Sequence, residues 1–390
     1  MTDQPLSSDD FAATFGEPLR TALNLDSWRI GTDVEQEYRR LEREVKDAIH
    51  RETNLQADIR KHVFPKLKTQ AQAPKNAGVH EADIELLRKV HRGLLFNGGV
   101  EAADAVIQVH DTLPLSIYQI GVALVSYAGN QGTWSQRMYR RDLNESLENR
   151  FDAVMKSLED RAARANLPSG NGELIQKVIL AWAERAILLR KSTATWRMGR
   201  GELVTYDLLT GGGNLDIMVE AGTVLRELIE QHQKFVFVAQ ESRIEPFRTI
   251  GLCLRPFEFA IVDTLDTRLE TWLHQLRFTN QIVKWDGVPM PASKWIPRFI
   301  QEVASKVVVG VFRAGEIAPP QVFYSHQDHA DVAAHIAIAD SMLQEQRGSP
   351  MLLEMARHVC RAVFGDNLGG LARNAYAAVG APWRSVRSFP

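Results

Sequence analysis

The sequence has little of what would assign it to several common classes. Only two of its 390 residues are cysteine, Cys253 and Cys360. Both stand in apolar surroundings, with no CxxC and no Cys/His spacing suited to zinc, so they read as buried free thiols of a reducing compartment. No apolar run approaches the ~18 residues of a membrane span. The opening MTDQPLSSDDF is acidic and has no apolar stretch of the secretory kind. The expectation is therefore a cytoplasmic protein that does not meet a membrane. No GxGxxG follows a strand-like run, and no GxxxxGK precedes a Ser or Thr, so neither standard nucleotide cradle is present. There is no internal repeat. Charge of one sign is not in excess: 46 basic and 48 acidic side chains leave a formal net charge of -2. Nothing global then demands nucleic acid, although a balanced total can conceal local basic patches.

What is present is ordinary globular material, 45% hydrophobic and 24% charged, in a chain long enough for a large core. From Asp33 to about His62 it is strongly charged and helical. Val34, Tyr38, Leu41, Val45, Leu55 and Ile59 follow four-and-three spacing, interrupted at Glu52. That spacing suits either an arm that pairs with a second copy or an amphipathic helix lying on its own domain. We divide the chain into an N-terminal helical region, 1–95, and a larger domain, 96–390.

The larger domain is expected to begin with a β-meander. Its first strand runs from about Val100 to Ala103, and Asp111 to Pro114 turns the chain. A second strand around Tyr118–Val125 is apolar on both faces, as a central strand should be. Gly129-Asn130-Gln131-Gly132 reads as a hairpin turn, and Trp134–Arg141 as a third strand. Helices are expected over Glu145–Ala165 and Leu174–Arg190. Val204–Leu209 reads as a strand or short turn, and a helix follows over Met218–His232. Phe235–Ala239, Phe257–Leu265, Val307–Arg313 and Gln321–Tyr324 read as further strands, and the chain ends in helices. A meander followed by crossover helices and more strands is the outline of a ribonuclease-H-like mixed sheet with helical insertions.

Phosphodiester cleavage on such a sheet needs carboxylates that converge on hard divalent ions. Asp104 ends the first expected strand and Asp111 starts the next element. Glu184 interrupts the apolar helix stretch Ala181–Ile187, where it must be paired, exposed or functional. Glu202 and Asp207 follow in the next segment. Each has a structural alternative as a cap, a loop charge or the partner of an arginine. Glu258 and Asp263, which flank an apolar strand, read as structural. The densest His/Asp cluster is His326, Asp328, His329, Asp331, His335 and Asp340, where Ser325 to Asp328 has the spacing of a capping box. Basic residues gather at Arg185, Arg190, Lys191, Arg197 and Arg200, and again at Arg357, Arg361, Arg373, Arg384 and Arg387. Trp196, Tyr376 and Trp383 interleave with them, a pattern able to follow a phosphate backbone.

Across about Gly98–Phe364 this layout resembles the NurA nuclease family. On that resemblance Ala103-Asp104-Ala105-Val106 stands where the family has Asp-Gly-Ser, which makes Asp104 the first metal ligand and Asp111 the fallback. Glu184 matches the family's helical Glu. Arg200-Gly201-Glu202-Leu203 stands where the family has Asp-Gly-x-Leu, so Glu202 or Asp207 must substitute for the missing acid. In Gly348-Ser349-Pro350-Met351 through Ala356-Arg357-His358, the histidine of the family's Ala-His is displaced by one residue. The resemblance implies a Mn2+- or Mg2+-dependent deoxyribonuclease that forms a homodimer. It would work with a HerA-like hexameric ATPase in DNA end processing, repair or anti-phage defence. Arg197, Arg200 or His358 would steady the phosphate charge. The departures at motif positions also admit a catalytically silent scaffold that binds DNA or the ATPase. A third reading is an unrelated enzyme built on the His326–Asp340 cluster.

Overall fold

Phe-Val-Phe-Val-Ala at 235–239 shows how this chain builds its core. In an extended strand successive side chains point to opposite faces. Phe235 and Phe237 enter one apolar core, while Val236 and Val238 enter another on the opposite face. The same alternation separates Val307, Val309 and Val311 from Val308 and Phe312. A sheet covered on both faces follows.

The computed structural model describes residues 7–28, 34–111, 115–141, 175–239, 245–273, 281–382 and 387–389. The helix expected over 145–165, together with Trp383 and Arg384, lies outside them. The chain divides into two compact units, Met1–Asp58 and Ile59–Pro390. The first consists of helices, chiefly α1, which begins at Val34 and runs on to His62.

The second unit holds a ten-stranded sheet. Its strands are β1 (Gly78–Glu81), β2 (Val100–Asp111), β3 (Leu115–Ser126), β4 (Gly129–Arg141), β5 (Trp196–Arg200), β6 (Phe235–Ala239) and β7 (Glu258–Thr264), then β10 (Val307–Phe312), β11 (Gln321–His326) and β12 (Arg387–Phe389). Between them β8 (Ile282–Trp285) and β9 (Val288–Pro291) form a separate hairpin. The order across the sheet is β1-β7-β10-β11-β6-β5-β2-β3-β4, with β12 also on β2. Strands β2, β3 and β4 form the antiparallel meander, and β5 and β6 run parallel to β2. This order and direction are those of a ribonuclease-H-like sheet, extended at the β6 side by antiparallel strands.

Helix α2 (Leu180–Lys191) and helix α3 (Leu215–Arg226) contribute to one core, and α4 (Ala330–Ser341) and α5 (Met351–Phe364) to the other. Asp340 in α4 ties that second layer together. It accepts the Tyr127 hydroxyl and, at 2.9 Å, the backbone N–H of Leu352 in the first turn of α5.

Several expected boundaries shift. The first strand does not stop at Ala103 but runs to Asp111. Its polar residues are tolerated because each finds a partner. Gln108 donates to Gly365 O and accepts from Leu368 N–H at 3.1 Å, and His110 meets the Tyr376 hydroxyl at 3.0 Å. Asp104 is therefore mid-strand, and Asp111 closes the same strand instead of opening the next element. Its side chain lies outside the described set. The turn into β4 is Tyr127–Ala128, and Gly129–Gly132 is already strand, irregularly paired opposite Leu124 and Val125. The segment expected as a strand or turn after Leu203 is a helix, Tyr206–Thr210, capped by Thr205. The strand in this region lies earlier, at β5. The expected capping box at Ser325 does not form. Ser325 is inside β11 with its hydroxyl on Phe235 O at 3.0 Å, and α4 starts after His329.

Candidate functional site

The site forms where the parallel strands part. One edge of β2 is shared, with β5 pairing at Val100–Ala102 and β12 at Ile107–Val109. Asp104 lies between these two pairings. It keeps the parity of Ala102 and Val106, so it faces α5, whose Cys360 and Phe364 pack on Val106. Its residue is 6% exposed. Crevices at the carboxyl ends of parallel strands, where neighbours diverge, are the usual ligand sites of such sheets. Arg200 is the last residue of β5.

Arg200 bridges two elements. Its Nε lies 3.4 Å from Asp104 Oδ1, while its Nη2 reaches Glu354 Oε1 at 2.9 Å and Leu353 O at 3.0 Å. Glu354, on α5, also meets Arg347 at 3.2 Å. Burial works against its charge, yet these arginines and Arg357 hold its carboxyl below the ordinary value. Asp104 goes the other way. Burial pushes its carboxyl up to about 6, against the pull of Arg200, Arg357 and Arg361.

Glu184 comes from α2. Its Oε1 is sealed from solvent and has no hydrogen-bond partner. Burial raises it to about 7; Arg185 opposes this, and the charge of Asp104 adds to it. A buried carboxylate that keeps an unpartnered oxygen beside another carboxylate is a site that favours a cation or a proton.

The stability consequence has a definite sign. Asp104, Glu184 and Asp340, the last raised to about 6 by burial against its bonds to Tyr127 and Leu352, bind protons more tightly folded than unfolded. Their contribution is full below the ordinary carboxyl range and is lost as pH rises through their folded values. The melting temperature is expected to fall between about pH 4 and about pH 7, less steeply below about pH 6.5, where burial of His232, which lowers its value to about 4, acts in the opposite direction. Carboxyls held low, such as Glu258 and Glu354, titrate below that window. Thermal melts of the wild type and of Asp104→Asn with Glu184→Gln test this; the double variant should show a flatter pH profile.

The other candidates are placed elsewhere. Glu202 pairs with Arg268 at 3.1 Å and lines a separate cavity of about 550 Å3 with Phe247, Trp272 and Tyr324. Asp207 lies in the first turn of Tyr206–Thr210. His358 is on the exposed side of α5. Arg185 is buried, donating to the carbonyls of Leu203, Ala181 and Glu202. Arg197 is likewise turned inward, onto the carbonyls of Leu188, Leu189 and Ser192 and onto His232. Neither guanidinium lies on a surface that a phosphate backbone could follow. Arg190 pairs at the surface with Glu220 at 3.0 Å, and Lys191 and Arg373 are exposed. Arg387 belongs to β12. Of the 326–340 cluster, His326 and His329 stay neighbours with ring centres 6.0 Å apart, while His335 is turned away from them. His326 accepts Asp328 N–H, and His335 bridges Asp331 O and Asp83 N–H while packing on Phe259. Glu258 is structural, accepting Arg60 at 2.7 Å.

Sequence reasoning missed Glu354 as a member of the site. The signal was available in a helix that starts just after Pro350 and carries Glu354, Arg357 and Arg361 at three- and four-residue spacing, which places them on one side. Nothing local tied that side to Asp104.

Among the described residues no three His, Cys, Asp or Glu side chains form a metal-binding group. Two carboxylates suffice for a hard ion that keeps its waters and completes its shell with substrate phosphate. Asp104 and the unpartnered Oε1 of Glu184 fit that limited role.

A ribonuclease-H-like sheet with an aspartate at the fork of its first strand and an arginine beside it is the class that fold and site define. Neither a family model nor a curated protein sequence matches the chain. Among solved structures it is similar to the NurA nuclease from Sulfolobus solfataricus, at 11% identity over 90% of this chain and 99% of that one, with a TM-score of 0.45. It is also similar to a NurA with manganese, at 11% identity, 75% and 96% coverage and TM-score 0.33. The catalytic domain of human endonuclease V matches at 9% identity, 79% and 96% coverage and TM-score 0.27. These are likenesses of outline.

Proposed function

We propose that the protein is a NurA-like deoxyribonuclease that hydrolyses DNA phosphodiester bonds, with Asp104 and Glu184 holding a Mn2+ or Mg2+ ion. The observation that supports it is the position of Asp104 at the fork of β2, between the β5 and β12 pairings, together with a Glu184 oxygen on α2 that is sealed from solvent and left without a partner. A divalent ion bound there supplies Lewis-acid polarisation of the phosphate and a more acidic water. The protein's own contribution is positional and electrostatic. Arg357 and Arg361 on α5 lie within charge range of Asp104 and would draw a phosphate to it. Arg200 would steady the added charge. His358, on the exposed side of the same helix, would move a proton at the leaving oxygen. Arg190, Lys191 and Arg373 would extend the basic track.

The test is cleavage of linear single- and double-stranded DNA with Mn2+, with Mg2+ and with EDTA. Product that requires the metal is expected. No product under any condition from folded protein removes the nuclease reading.

A second reading is favoured by one observation. Arg200 stands between Asp104 and Glu354, supplying a positive charge from within the chain. On that reading the protein is a catalytically silent scaffold that binds DNA or an ATPase. DNA binding without cleavage would favour it.

The same proposal includes a homodimer, a HerA-like hexameric ATPase as partner, and a cytoplasmic role in end processing, repair or defence. Support for the dimer comes from α1, where Tyr38, Leu41, Val45, Ile49 and Leu55 are all exposed. Their near-heptad spacing suits a two-stranded coil. The double variant Leu41→Asp with Val45→Asp should roughly halve the particle mass measured by light scattering, and an unchanged mass would exclude this route to a dimer. Co-elution with a HerA-like ATPase tests the other partner.

A further inference from the structure

Arg200 is held unequally by its two carboxylates. On the Glu354 side it makes two short bonds, 2.9 Å to the carboxylate and 3.0 Å to the carbonyl of Leu353. On the Asp104 side its Nε approaches only to 3.4 Å, and that buried Nε has no hydrogen-bond partner. A charge-assisted N–H to carboxylate bond normally closes to about 2.7–2.9 Å. The guanidinium is therefore anchored on α5 and leans toward Asp104 without binding it firmly. The backbone fixes this posture. Gly201 turns the chain directly after it at φ +79°, a conformation that side chains resist, and its N–H is on Val238 O at 2.8 Å. Glu184, on α2, keeps its buried oxygen unpartnered within the same field.

We propose that Arg200 is a tethered cation that sets how tightly Asp104 and Glu184 take a divalent ion, and that Glu354 is the anchor which keeps it from closing onto Asp104. The inference rests on the metal-dependent reading above. Arg200 supplies a positive charge where the ion would supply two, so the two compete for Asp104, and the distance at which Glu354 holds the guanidinium decides the outcome. Arg200 is on this view a positioning residue for metal entry. Removing it and loosening it should then act in opposite directions.

The test is Mn2+ titration of the full-length protein, followed by calorimetry and by loss of the free-ion resonance signal. Arg200→Met should bind Mn2+ at least ~10-fold more tightly than wild type, because a competing charge within a few ångströms is gone. Glu354→Gln should bind several-fold more weakly, because the freed guanidinium closes on Asp104. Arg200→Lys, which keeps the charge, should stay within about threefold of wild type. Asp104→Asn should bind none at this site. Thermal melts confirm that each variant is folded. If Arg200→Met fails to fold, Glu354→Gln against Arg200→Lys still decides the sign. Binding that depends on Asp104 but is the same or weaker in Arg200→Met, or unchanged in Glu354→Gln, overturns the role of Arg200 and leaves the metal reading standing. Absence of Asp104-dependent Mn2+ binding in every variant overturns the metal reading itself.

Discussion

Asp104→Asn and Glu184→Gln should each lower metal-dependent DNA cleavage by at least ~100-fold, the scale on which single preorganised electrostatic groups act, while leaving the protein folded. Both substitutions keep shape and remove charge. In each case burial already disfavours the charged form, raising Asp104 to about 6 and Glu184 to about 7. Neutral amides at these positions therefore relieve a desolvation cost at neutral pH. The melting temperature should hold or rise while cleavage is lost. Loss of an ion's anchor and a gain of stability at one position is the pattern expected of a functional strain held by the rest of the fold. If either variant cleaves at the wild-type rate, the reacting centre is not at the β2 fork. Cleavage lost together with the fold, as judged by circular dichroism, would make these acids structural.

The largest stability effect is expected from Arg185→Ala. This guanidinium is buried and donates to Leu203 O at 2.8 Å, to Ala181 O at 2.9 Å and to Glu202 O. It also lies over the ring of Phe237, 5.3 Å from its centre. It staples α2 to the segment that leaves β5, and its charge offsets that of Glu184. Truncation leaves carbonyls unsatisfied and an acid without its compensating charge. Breaking a buried arrangement of this kind costs about 3–5 kcal/mol, a large part of a domain's net stability. Urea denaturation followed by tryptophan fluorescence measures it. A change under about 1 kcal/mol would mean that the carbonyls find other donors when Arg185 is removed.

These two predictions separate what was legible in the sequence from what was not. Strand β3 was readable because both of its faces are apolar, and β6 and β10 because short runs of β-branched and aromatic residues have few other homes. The length of β2 was not, because Asp104, Gln108 and His110 look like strand breakers until their partners are known, Arg200 at the end of β5 for the first and the helix after α5 for the other two. Arg185 and Arg197 looked like a basic surface patch. Their burial depends on carbonyls left over where α2 ends and where β5 leaves the sheet, and no composition window contains that information.

The sequence alone determined the meander, the two-faced strands that follow it, and the presence of one acid on the first strand and one on the crossover helix. These are consequences of local periodicity, which acts over a few residues. Tertiary structure alone decided that β5 and β12 share an edge of β2 around Asp104, that Arg200 leans on that aspartate, and that Glu354 holds Arg200 back. Those relations join residues on different strands and on a helix near the other end of the chain. They are fixed by the register of parallel strands and by the seating of α5, and the balance of charge at the site follows from them.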